Sequence, residues 1–334
     1  MEINVRRWST PLMDLAAIVV VVAGLRAAAP IVTQLLLIAL LVIILSPVYY
    51  WLVRKRLPSW AALTLIISAL VIGVMGGAIL LANSFRQLAF KLPEYYFMLQ
   101  KSISELRLWL AQMEIEVPAD FFDGFLNRQN AGRLAAGMFA AAQGLFAQGF
   151  IIILVTAFCL CELPKLPKLR QSRWMSEDLW IRCVRIAADV KHYMGIKTLI
   201  SLMTGVVIYI GLVLLGIDSP FLLALLVFLL NYVPVIGSFI AAIPAVLMAW
   251  ATFGMGRAAW VAALYVVVNQ IFGGIVDPHL MGKGFGVSPV VILVSMLFWG
   301  FVLGPVGMVL SVPLTMGLRV VLSSLRELEQ EAEV

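Results

Sequence analysis

The chain has 334 residues, of which 63% are apolar and only 13% charged, and its mean hydropathy is +1.02. Soluble domains carry about 25% charged residues, so a water-soluble fold is excluded, as is a charged disordered chain. The net charge is +6, but the 24 Lys and Arg are scattered among apolar runs of bilayer length, which excludes a basic nucleic-acid binder. The expected architecture is all-α and polytopic, with about six to eight membrane segments and the lipid bilayer as its first partner.

A spanning helix needs about 20 apolar residues. The first run is Leu12 to Leu25, the second Ile31 to Val53 and the third Trp60 to Ala82. Arg6, Arg7 and the Ala27–Ala29 triplet give the first run the outline of a signal peptide. Pro30 directly after the triplet hinders cleavage, so a retained helix is expected, with Arg26 reaching for the outer headgroups. A polar stretch follows from Asn83 to Arg133. A fourth run covers Leu134 to Leu160, and a second polar stretch runs from Glu162 to Lys197. From Thr198 to Leu318 the chain is again almost uncharged.

Basic residues in short loops set orientation. Arg6 and Arg7, then Arg54 to Arg56, then the group from Lys165 to Lys197, then Arg319 and Arg326 all fall on one side if each of the first four runs crosses once. That side is expected to be the cytoplasm of a bacterial inner membrane, with both termini inside. The stretch 83–133 is then extracytoplasmic, and its six basic and six acidic residues oppose nothing.

The outer stretch is itself organised. Leu88, Leu92, Tyr95, Leu99, Ile103, Leu106 and Leu110 recur every three or four residues, one face of a helix. Pro93 is an expected start for that helix, and Val117 to Asp120 for a shorter one. The stripe suits either the protein's own surface or a neighbouring subunit of a homo-oligomer. On the other side, Leu163 to Pro167 reads as a turn and Glu177 to Met194 as an amphipathic basic helix that anchors topology or meets anionic lipid. Cys159, Cys161 and Cys183 are too few and too close for a disulfide framework or a zinc site, so no cofactor or metal is expected.

The carboxyl half carries the functional signal. Thr198 to Ile217 is an ordinary span. Phe221 to Trp250 is too long for one straight crossing, and Asn231, Pro234 and Gly237 break it in the middle. After the span Ala258 to Val276 and the run Asp277 to Gly284, the pattern returns: Ser288 to Leu318 is apolar and broken by Gly304, Pro305 and Gly307. Paired broken segments point to a transport site, because irregular backbone at membrane depth needs protein or a water-filled cavity around it. Each broken segment either crosses once as a kinked helix or re-enters as a hairpin. The matched lengths favour hairpins whose tips meet near the midplane.

The runs Asn231-Tyr-Val-Pro-Val-Ile-Gly237, Asp277-Pro-His-Leu-Met-Gly282 and Gly304-Pro-Val-Gly-Met308 with Val312-Pro-Leu314 resemble the autoinducer-2 exporter family of membrane transporters. The resemblance covers nearly the whole chain. It implies export of a small molecule such as that furanone signal, or sodium/proton antiport, without naming the substrate.

Charges at membrane depth are costly and mark function. Between Thr198 and Leu318 they are Asp218, Arg257, Asp277, His279 and Lys283. Asn231, Asn269, Gln270 and Asp277, with the breaks at Pro234, Gly237, Gly304, Pro305 and Gly307, are the expected substrate or ion path. Asp277 and then His279 are the coupling candidates. The alternative is structural: Asn231 and Gln270 satisfy broken-helix backbone, and Asp277 holds a loop to Lys283. Asp218 is expected to cap the next helix.

The domain division that follows is residues 1–82 as three spans, 83–133 outside, 134–161 as a span, 162–197 as the cytoplasmic basic segment, 198–326 as the transport core and 327–334 as an acidic tail. The leading function is an ion-gradient-driven efflux transporter. A monovalent cation/proton antiporter and a non-transporting scaffold or channel are the alternatives. An enzyme is not expected: the chain has no His-Glu-x-x-His, no Gly-x-Ser-x-Gly and no phosphate loop.

Overall fold

The computed structural model describes residues 6–113, 148–165, 177–234, 236–281 and 288–332. Every regular element among them is helical: α1 (Arg6–Ala27), α2 (Ala29–Arg54), α3 (Ser59–Gln112), α4 (Gln148–Glu162), a 3-10 turn (Leu163–Lys165), α5 (Glu177–Leu214), α6 (Pro220–Leu230), α7 (Ile236–Phe253), α8 (Met255–Asn269), a π-helical stretch (Gln270–Val276), α9 (Asp277–Met281) and α10 (Pro289–Ala332). Among the described residues six segments are long and apolar enough to cross a membrane: Ala29–Arg54, Ser59–Gly77, Trp180–Leu214, Ile236–Phe253, Met255–Leu280 and Val290–Val320. The expected short helix at Val117–Asp120, residues 134–147 of the fourth run and Lys283 lie outside the described residues.

The chain divides into two compact units. One comprises Met1–Lys55, Phe158–Met194 and Lys283–Val334, the other Arg56–Ala157 and Gly195–Gly282.

In the first unit α1, α2 and α10 pack together. α10 is two helices joined at Gly304, whose φ of 71° and ψ of −156° belong to glycine alone. The arms double back. Ser295 Oγ donates to the Ser311 carbonyl at 3.1 Å and also meets Thr315 Oγ1. Gly307 lies so close to the Trp299 carbonyl that a Cβ there would collide with it. Residue numbers rise on one arm as they fall on the other, which is antiparallel pairing. Arg26, at the end of α1, places its guanidinium 4.4 Å from the Phe301 ring centre, a cation–π contact.

The second unit is built on α7. Ala241, Ala245 and Ala249 recur every four residues and are fully buried. Small side chains at that spacing let backbones approach closely where lipid gives no hydrophobic drive between helices. Val227 of α6, Leu212 of α5 and Val261 of α8 complete the core, and α3 packs on both α6 and α7. The last turn of α6 and the first of α7 touch: a Cβ on Gly237 would strike the Leu230 carbonyl oxygen.

Two expectations are corrected in this unit. The helix through the outer stripe does not start at Pro93; α3 is continuous from Ser59 to Gln112. Proline forfeits one backbone donor, and the ladder on either side carries the helix past it. Of the stripe, Tyr95 and Ile103 are buried, and Tyr95 belongs to the unit's own core. Asp218 is not the cap of α6 either. That position is Ser219, at a left-handed φ of 52° and with no side-chain cap bond. Asp218 instead accepts hydrogen bonds from Lys91 Nζ and Tyr95 Oη, both at 2.7 Å. A charged partner outweighs a backbone N–H as a donor.

Candidate functional site

One face of α5 gathers the polar groups of the second unit. Lys197, Ser201 and Thr204 follow one another at helical spacing, and all three are buried in an otherwise apolar segment. Buried polar groups need partners. Thr204 Oγ1 donates to the Ile200 carbonyl of its own helix at 2.8 Å. The other two reach outward, each to a break in a neighbouring helix.

The first break lies between α6 and α7. Asn231 Nδ2 donates to Ser201 Oγ at 2.9 Å, and Ser238 Oγ donates to Asn231 Oδ1 at 3.3 Å. Tyr232 Oη donates to Thr198 Oγ1 at 2.8 Å. The Pro234 carbonyl accepts the Ile236 N–H at 2.7 Å and the Val233 carbonyl accepts the Gly237 N–H at 3.3 Å. The amide of Asn231 thus spans the break and ties it to α5.

The second break is the π-helical stretch Gln270–Val276. Such wide turns inside helices are frequent at functional sites. Gly273 and Gly274 sit one turn past Asn269 and Gln270, whose amides lie over the space a Cβ would take. The stretch delivers Asp277 to α5. Lys197 Nζ donates to Asp277 Oδ2 at 2.9 Å, with the lysine side chain 8% and the aspartate side chain 17% exposed. Among the described residues, Asp277 Oδ1 is buried without a hydrogen-bond partner. Isolating either charge here would cost several kcal/mol, about 3–5 by analogy with broken buried pairs. A carboxylate half satisfied by a lysine and half bare is chemically equipped to take a proton or a cation on its open oxygen.

The expected path residues therefore divide. Asn231 and Asp277 meet on α5, joined by Ser201 and Lys197, which lie one turn apart. Gln270 is exposed, and no hydrogen bond joins it to either of them among the described residues. His279 is exposed and its Nδ1 contacts the Ile275 carbonyl at 2.7 Å. Gly304, Pro305 and Gly307 form the break of the other unit. Among the described residues Asp277 pairs with Lys197; the expected Lys283 lies outside them.

A second polar cluster lies beyond the spans. Lys91 holds the Asp218 carboxyl below the usual carboxylate range, against the opposing effect of burial and with help from Tyr95. Burial and the bond to Asp218 push the Tyr95 phenol up.

Comparison with known proteins settles the family. The AI-2E family transporter model matches residues 15–327. The chain belongs to the AI-2E transporter family. Relatives of this family include the AI-2 transport protein TqsA of Escherichia coli, 32% identical over 278 residues, which cover 83% of this chain and 81% of the relative. The putative transport protein YhhT of Escherichia coli is 31% identical, covering 81% and 78%. A putative transport protein of Haemophilus influenzae is 34% identical over 295 residues, covering 84% and 82%. AI-2E membership and the six apolar segments make this chain a membrane transporter.

Proposed function

We propose that this transporter exports a small polar solute of the autoinducer-2 kind across a bacterial inner membrane, driven by the proton gradient, with Asp277 as the coupling carboxylate. The observation that carries this reading is the buried Lys197–Asp277 pair with its bare Oδ1. Protonation of the carboxylate breaks the pair, and loss of the proton restores it. Each protonation state then has its own arrangement of α5 against the end of α8, the two-state element that coupling requires. Asn231, bonded to Ser201 one turn from Lys197, supplies the neighbouring solute contact. No covalent step is involved.

The pairing also bears on topology. Lys197 meets Asp277, and Gly211 lies against Leu264, so α5 and α8 run antiparallel. A span that leaves the cytoplasm along α5 and returns along α8 requires α6 and α7 to begin and end outside, as a re-entrant hairpin, with both termini of the chain in the cytoplasm. A cysteine placed at Met255 in a cysteine-free background is then labelled only from outside. Labelling only from inside would replace the hairpin with a crossing.

The test of coupling uses proteoliposomes loaded with autoinducer-2. Wild type releases it faster when the exterior is acidified, and Asp277→Asn loses that dependence. The double variant Lys197→Met/Asp277→Leu replaces the pair with apolar groups, so it folds and does not respond to pH. Wild-type pH dependence in Asp277→Asn would overturn the assignment. The bare oxygen favours one second reading, monovalent cation/proton antiport. Sodium-triggered proton movement across the same vesicles, without solute, would select it.

A further inference from the structure

The π-helical stretch between α8 and α9 is seated at one end only. Upstream, Val261, Tyr265 and Val268 hold α8 in the core, and all three are buried. Downstream the seating stops: from Gln270 to Leu280 no residue is buried. Phe272 leans on the core. A Cβ on Gly273 or Gly274 would meet the side chain of Asn269 or Gln270, one turn back, before anything from another helix. Among the described residues, one hydrogen-bonded ion pair joins this stretch and α9 to another helix, Lys197 to Asp277. Elements that move are drawn from such thinly packed segments.

A π turn bonds i to i+5 where an α turn bonds i to i+4, so it stores one extra residue, and it is rare because the α ladder is the usual minimum. With α8 fixed, the same sequence wound as α would carry Asp277 one residue further round the axis, about 100°, and its carboxyl on the order of 8 Å from its present place. We propose that Gln270–Val276 is a two-state turn, π while Asp277 is ionised and bonded to Lys197, α once Asp277 is protonated, so that protonation swings this residue off α5. The inference rests on the reading of Asp277 as the coupling carboxylate and names the part that moves. The proton passes from water to the bare Oδ1, and Lys197 keeps its own proton and loses its partner. Lys197 of α5 is the charged group facing Asp277, and the titratable neighbour on α9, His279, is turned to the Ile275 carbonyl. Because the swing exceeds hydrogen-bond reach, the pair re-forms only after the proton has left, which keeps the two states discrete.

The experiment measures the distance between spin labels at Leu199 and Leu280, both exposed, on the purified full-length protein in a cysteine-free background and without solute. With Asp277 present, the distance shifts by about 5 Å or more between mildly alkaline and acidic buffer. Asp277→Asn shows the shifted distance in both. Deleting Gly274 removes the stored residue, so the helix is α throughout with Asp277 still against α5, and the labels keep their alkaline distance in acid. Gly274→Ala leaves the length unchanged, and its Cβ would lie 3.6 Å from Gln270, an ordinary contact, so it keeps the swing. A distance that does not respond to acid, an Asp277→Asn distance equal to the alkaline one, or a full swing in the deletion variant overturns the proposal. Should the deletion variant fail to fold, the first two measurements decide. A swing without pH-driven release of autoinducer-2 from vesicles removes the export reading and leaves the two-state turn standing, whereas pH-driven release without a swing does the reverse.

Discussion

The two broken apolar segments share one sequence recipe, about a dozen apolar residues on each side of a proline–glycine break, and they close it differently. In the α10 segment the polar groups serve one another. Ser295 bonds across the arms to Ser311 and Thr315, and Gly304 alone absorbs the turn. In the α6–α7 segment the break exports its polar contacts. Asn231 bonds to Ser201, Tyr232 to Thr198, and Asp218 ahead of α6 bonds to Lys91 and Tyr95. The first solution is a self-contained hinge. The second makes the segment answer to α5 and α3, so a change at Lys197 is felt at the break one turn away. A transport site needs that dependence, and chain pattern alone does not tell which break has it.

The largest expected effect tests what the breaks share. Gly237→Val and Gly307→Val each place a branched side chain against a backbone carbonyl that cannot move away. Each costs more than about 3 kcal/mol, beyond the ordinary penalty of overpacking, and little folded protein is recovered on size-exclusion chromatography. A tolerant Gly237→Val would mean that the α6–α7 contact is looser than described.

The next effects separate the two. Asn231→Ala strips the buried Ser201 hydroxyl of its partner and lowers stability by about 1–3 kcal/mol. Ser311→Ala spares the carbonyl that Ser295 uses and costs less than about 1 kcal/mol. Equal shifts in thermal unfolding would erase the distinction drawn above. Gly304→Ala forces a side chain into a region reserved for glycine, at about 1–3 kcal/mol. No position in the α6–α7 turn has a positive φ among the described residues, so alanine there carries no such term.

The smallest effect lies just ahead of α6, at Asp218. The folded Asp218 carboxyl titrates below its unfolded value, so its contribution is present above the ordinary carboxylate pKa of about 3.9. It is lost as pH falls through the lower folded value. Both side chains are more than one-third exposed, so Lys91→Met costs less than about 1 kcal/mol. Thermal unfolding of wild type and Lys91→Met differs at pH 7 and converges below about pH 4. A gap that persists in acid would assign the lysine another role.

Much of this was legible from residue types. Proline and glycine marked both breaks, because each changes what the backbone can do whatever surrounds it. Asp277 stood out through scarcity, since an ionisable group in an apolar stretch has few reasons to be there. Its partner was hidden. Lys197 adjoins the uncharged stretch by one residue and ends a series of basic residues that fixes orientation, so its burial could not be inferred from its place in the series. Ser201 gave no signal, because serine is ordinary in apolar helices and only its meeting with Asn231 gives it meaning. Asp218 was misread because capping is a local rule, while Lys91 lies 127 residues away in sequence.

The continuity of α3 has a mechanical consequence. At 1.5 Å per residue its 54 residues measure about 80 Å along the axis, well beyond the thickness of a bilayer. Lys91 and Tyr95 pin it to Asp218 partway along, leaving some six turns to Gln112 past the pin. The pin acts as a fulcrum: a tilt of about 10° in the membrane portion swings the far end by about 5 Å the other way, on a lever arm of about 30 Å. A rearrangement too small to notice among the spans therefore becomes a displacement readable at the far end of α3, and a pair of spin labels at Glu105 and Met255 would report it without any knowledge of the solute.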